Sequence, residues 1–154
     1  MALVADLVAV TDLLKSKIDA NKTTLGIQAL FFGDQSTISV VPAVCVEPGT
    51  KVAELRGVPR KTEVDITVFI LVYHSIVTQS VQQTLRDATL LAESIEALIH
   101  QDPHLRNGVG NSENVIHCFV TNIEAGYPQK ATTTFRAARM TVTAKTQEFL
   151  PQDL

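Results

Sequence analysis

Thr62-Glu63-Val64-Asp65-Ile66-Thr67-Val68-Phe69-Ile70-Leu71-Val72-Tyr73-His74 decides the fold. Val64, Ile66, Val68, Ile70 and Val72 alternate onto one side, the period of two that defines a β-strand. The opposite side opens with Asp65 and Thr67 and then turns apolar with Phe69, Leu71 and Tyr73. From Val68 onward both faces of this strand therefore need cover.

Upstream, Leu3, Leu7, Val10, Leu14 and Ile18 recur at helical spacing, which predicts an amphipathic helix over 2–20 that ends at Asn21-Lys22-Thr23-Thr24. Leu25–Phe32 reads as a short strand before the Gly33-Asp34-Gln35-Ser36 turn, and Ile38–Val46 as a second one. Pro42 should put that second strand at an edge or a bulge, because proline cannot donate to a ladder. Residues 47–61, punctuated by Pro48, Gly49, Gly57 and Pro59, read as a long connection.

Downstream, Ser80-Val81-Gln82-Gln83 has the spacing of a capping box and opens a helix predicted over 80–101, which Pro103 terminates by turning Asp102 away from helical angles. Strands follow over Val115–Glu124 and Thr133–Thr146, separated by the Gly126-Tyr127-Pro128 turn. Two helices and a run of hairpin-linked strands define an α+β fold, an antiparallel or mixed sheet of four to five strands packed with an N-terminal helix and a long central helix. Residues 1–148 form one domain on this reading, and 149–154 a C-terminal tail.

The chain has 154 residues, 45% of them hydrophobic and only 19% charged, so it is short of surface charge and not of core. A net charge of -3 and a pI near 5.8 argue against a protein that coats nucleic acid or anionic lipid, since both need clustered Lys and Arg. Cys45 and Cys118 are too few and too far apart for a disulfide framework or a zinc knuckle and read as reduced, Cys118 as a small core residue beside Ile116 and Val120. The acidic and basic residues that interrupt the N-terminal apolar run exclude a signal peptide and a membrane span, which predicts a cytoplasmic site of synthesis.

Candidate chemistry is sparse. His100 and His104 have the i, i+4 spacing of a metal pair, but Pro103 falls between them and no third ligand is near. His74 and His117 read as hydrogen-bonded strand histidines, Glu93 and Glu96 as a solvated helix flank, and Gly108-Val109-Gly110 as a turn, since it follows a helix. No nucleophile elbow or phosphate loop is present, so the expectation is a protein that is not an enzyme and has no catalytic, metal or cofactor site.

The remaining signal is surplus apolar surface. Two helices can shelter one sheet face, and the second face must then be covered by something else, most simply further copies of the chain. The candidate interface is Phe69, Leu71 and Tyr73, together with a basic arm of Arg56, Arg60 and Lys61 suited to an acidic neighbour. Arg136 and Arg139 fall on opposite faces of the last strand, so a neighbour's carboxylate is expected for at least one of them.

Taken together, several segments of this sequence resemble the tail terminator, or tail completion, proteins of long-tailed bacteriophages. The resemblance lies in the N-terminal helix, the loop Glu47–Arg60, the strand Thr62–Phe69, the helix ending Ile95-Glu96-Ala97-Leu98-Ile99-His100-Gln101-Asp102-Pro103, and the segment Phe135-Arg136-Ala137-Ala138-Arg139-Met140-Thr141-Val142. It implies a homohexameric ring at the head-proximal end of the tail tube that ends tube polymerisation and provides the docking surface for the neck and head. The implied partners are the chain itself, the tail tube protein, a neck or head–tail connector protein and, in contractile tails, the sheath. DNA would pass through the lumen without specific binding. The implied location is the virion, after assembly in the host cytoplasm. Alternative readings are another ring of the head–tail joint, a subunit of a tail-like delivery device, and a small dimeric α+β enzyme or metabolite-binding protein.

Overall fold

The computed structural model describes residues 7–55, 61–77, 86–103 and 115–149, without the side chains of 53–55, 61–63, 115–116 and 147–149. In chain order the elements are α1 (Leu7–Ala20), α2 (Lys22–Leu25), β1 (Ala29–Phe32), β2 (Ala43–Leu55), β3 (Lys61–Ile76), α3 (Arg86–His100), β4 (Val115–Gly126), β5 (Gln129–Lys130) and β6 (Thr133–Phe149). The sheet order is β1-β2-β3-β6-β4, with β5 paired to the start of β6. All pairs are antiparallel except β1 with β2, which makes the sheet mixed. The fold is α+β, as the segment pattern predicts.

Alternation on β3 builds the main core. Val64, Ile66, Val68, Ile70 and Val72 are fully buried beneath Val10, Leu14 and Ile18 of α1 and Ala92, Ile95 and Ile99 of α3. Each such side chain contributes about 1.5–3 kcal/mol by leaving water. A buried ion pair fastens the two helices, with Lys17 Nζ 3.1 Å from Asp102 Oδ2. Asp102 also closes the end of α3 by donating its N–H to the Ile99 carbonyl, and Pro103 follows it.

The predicted connection over 47–61 is corrected. β2 runs straight through Glu47-Pro48-Gly49 to Leu55 and pairs with β3 along its length, with a bulge between Pro48 and Thr50. Two local facts allow this. The Val46 carbonyl faces away from β3, where it accepts from Gly33 N–H, so Pro48, two residues on, points its missing donor the same way and costs the β3 ladder nothing. Gly49 passes so close to β3 that a Cβ there would stand 2.6 Å from the Thr67 carbonyl oxygen. The strand expected over 38–46 accordingly starts only after Pro42, and along 43–46 it is not an edge, because β1 covers it. From Glu47 onward no described strand pairs with its outer edge.

A bulge in β4, between Val120 and Asn122, serves the pattern as well. One extra residue keeps Val120 and Ile123 both against the helix-side core, opposite Val142 and Met140. The predicted capping box at 80–83, the start of the N-terminal helix before Leu7 and the tail beyond Phe149 lie outside the described residues.

Candidate assembly face

The sheet face opposite the helices is built from alternate residues of the same strands. Ala43, Cys45, Tyr73, Phe135 and Ala137 form a second, smaller core there, closed by Ile38 and Val41 from the segment that precedes β2. Tyr73 and Phe135 meet edge to face, with ring centroids 5.5 Å apart. Asp34 latches this cover down by accepting from the Tyr73 hydroxyl at 2.8 Å and from Lys130 Nζ at 2.9 Å. Burial first, and the Asp34 carboxylate second, hold the Tyr73 phenol well above its ordinary pKa. The expectation that only a companion could shelter the second face is corrected at this end, because residues 33–42 and the β5–β6 corner already do so.

Beyond Tyr73 this cover stops. Leu71 and Phe69 are half-buried, and Arg139, on the neighbouring β6, carries its guanidinium 4.1 Å above the Phe69 ring. Cation–π attraction of this kind contributes about 0.5–1 kcal/mol at exposed sites and fixes where the charge stands. Glu124 is directly opposite Arg139 in the β4–β6 register, yet its carboxylate accepts from Asn122 Nδ2 at 3.0 Å. Among the described residues no carboxylate lies within 4.0 Å of Arg139. Beside it opens a groove of about 390 Å³, lined chiefly by Leu71, Tyr73, Tyr127, Ala137 and Arg139. Further along the same face Val52 and Phe119 are exposed, and Asp65 and Lys145 stand 4.0 Å apart in solvent.

Phe69, Leu71, Tyr73 and Arg139, all expected at an interface, thus come together on one face, with Tyr73 largely covered by the chain itself. Arg136 does fall on the opposite face, where it is buried and donates from Nη1 to Ser75 Oγ and to the Ile76 carbonyl, both at 3.3 Å. Acceptors for it are therefore found within the chain. Arg56, Arg60 and the side chain of Lys61 lie outside the described residues. Glu124 and Tyr127, which complete the groove, were not signalled by the sequence beyond the Gly-Tyr-Pro turn that presents the tyrosine.

The histidines do not gather. His100 accepts the Val120 N–H at Nε2, 3.1 Å away, at the β4 bulge, and His104 is outside the described residues. His74 and His117 differ from the hydrogen-bonded expectation, for the Nδ1 atoms of both are enclosed without a partner among the described residues. Burial pushes the Cys45 thiol up to about 11 and the Cys118 thiol to about 12, which makes both poor nucleophiles at neutral pH. Among the described residues no three His, Cys, Asp or Glu side chains come together as a metal set, and no helix is long and apolar enough to cross a membrane.

The class defined by this geometry is a mixed, mostly antiparallel sheet with two long helices on one face and a partly bare opposite face. A solved structure shares it over nearly the whole chain. That structure is a chain from the virion of a native gene transfer agent particle, matched with a TM-score of 0.61 at 11% sequence identity, over 94% of this chain and 99% of that one. At that identity the likeness is one of fold. No family model matches the chain, and no curated protein matches it.

Proposed function

We propose that the chain is a structural protein of a phage-type virion, and that it acts as a tail terminator, a ring on the head-proximal end of the tail tube that stops polymerisation and presents the neck with a docking surface. The observation that carries this reading is the end-to-end likeness to a gene transfer agent virion chain. Two features of the molecule support it. A sheet face with exposed Val52 and Phe119 and a fixed Arg139 suits contact with other subunits, and the β2–β3 hairpin extends the sheet well beyond β1. The mechanism is steric. Copies arranged to match the symmetry of the tube cover its growing end, and the upper surface of the ring differs from the lower. No bond is made or broken. Its partners on this reading are the tube protein below and a connector protein above, with DNA passing freely through the lumen.

Negative-stain electron microscopy of the purified protein, alone and with polymerising tube protein, tests the reading. Rings that sit on one end of tubes and hold their length constant are the expected result. A protein that stays a monomer at high concentration and leaves tube growth unchanged overturns it. Rings that bind a connector and ignore tubes would move the chain to another level of the head–tail joint.

A further inference from the structure

The groove beside Arg139 has an apolar floor, aromatic walls and a cation that no described carboxylate neutralises. A complementary surface lies on the other side of the same molecule. α3 buries Ala88, Leu91, Ala92, Ile95 and Ile99, yet leaves Leu90 47% exposed on its outer face. Asp87 and Glu93 stand three residues before and after Leu90 on that face, both in solvent. An apolar knob flanked by carboxylates thus points outward from the helix layer, and an apolar groove rimmed by a fixed guanidinium opens on the bare sheet face.

We propose that the outer face of α3 of one copy seats in the groove of the next, with Leu90 against Leu71 and Tyr127 and the Glu93 carboxylate on Arg139. This rests on the ring reading above and adds to it the pair of surfaces that meet. Knob and groove lie on opposite sides of the sheet, so the contact is heterologous, the type that generates a ring when its rotation closes and that does not form two-fold dimers. Residue types agree, since Arg and Tyr in desolvated pockets dominate interface energetics. Arg86, one turn before Leu90, is the cation on this face, and Asp87 with Glu93 leaves the face a net negative charge. The other exposed knob, Val8 on α1 with Asp12 one turn on, has Lys15 beside it and so carries less unbalanced negative charge.

A charge swap tests the contact, read by light scattering during size exclusion and by electron microscopy, with circular dichroism as the check on folding. Arg139→Glu and Glu93→Arg, both at exposed positions, should each raise the concentration needed for assembly roughly tenfold or more, the scale of a hot-spot contact. The double variant should recover assembly. Leu90→Ala should weaken it with no change in charge. Arg139→Glu that assembles like the wild type overturns the contact and leaves the ring reading standing. Rescue of Arg139→Glu by Asp12→Arg in place of Glu93→Arg overturns the assignment to α3. Wild-type protein that forms no rings, alone or on tubes, overturns the ring reading beneath it.

Discussion

Gly49 is the residue on which the pairing of β2 with β3 depends. Its Cα passes beside β3 where a methyl group would meet the Thr67 carbonyl oxygen at 2.6 Å and the Phe69 ring at 3.0 Å, and the backbone oxygen cannot swing aside. Gly49→Ala should therefore cost about 1–3 kcal/mol, the range for overpacking, and chemical denaturation will read it directly. The two thiols make a second prediction at this scale. Unfolded cysteines ionise near pH 8.5, about the usual value, whereas burial holds Cys45 to about 11 and Cys118 to about 12 in the fold. Above pH 9 the unfolded chain releases protons that the folded chain keeps, so stability falls as the pH rises from 9 toward 11. Urea midpoints at pH 8 and pH 10.5 should show that decline, and Cys118→Ala should reduce it.

The elements are held together by contacts between segments far apart in sequence. α1 and the end of α3 share the Lys17–Asp102 pair, enclosed on both sides. Removing Lys17 takes an enclosed counter-charge away from Asp102, so Lys17→Met should destabilise by about 1–3 kcal/mol, and adding Asp102→Leu should restore part of the loss. Thermal melts of the two variants decide it. On the opposite face, the segment before β2 and the β5–β6 corner close over Phe135 and Tyr73. Phe135→Ala should cost about 3–5 kcal/mol if that small core is a permanent part of the fold, and an unchanged melting temperature would contradict it. β4 is tied to α3 through His100, whose imidazole caps the Val120 N–H at the bulge and so blunts one edge of the sheet. The outer edge of β2 beyond Val46 is paired with no described strand.

At the scale of the whole molecule, one sheet face is sealed by two helices and the other, among the described residues, only at one end. Between sealed and open regions lie Leu71 and Arg139, at the rim of the groove. Leu71→Asp would place a carboxylate there, and the expected outcome is loss of assembled species in sedimentation. Normal assembly together with normal stability would remove Leu71 from any contact between copies. Net charge of -3 with so fixed a cation at the groove favours recognition by geometry and local charge over general electrostatic attraction.

Periodicity alone determined α1, α3 and the strands β3, β4 and β6, the helix-facing side of β3 and the stop after α3, because alternation, helical spacing and the proline at 103 act within a few residues of one another. The prospective interface residues Phe69 and Leu71 were legible for the same reason, as apolar positions on the wrong side of an amphipathic strand. Tertiary structure alone decided that β2 runs on through Pro48 and Gly49, since that depends on which way a carbonyl faces and on how close a distant strand passes. It also decided that the chain covers Tyr73 with its own residues 33–42, and that Glu124 turns to Asn122 and leaves Arg139 on Phe69. Those outcomes are settled by side chains that meet across the sheet, and no local pattern encodes which of several possible partners a charge or a ring will find.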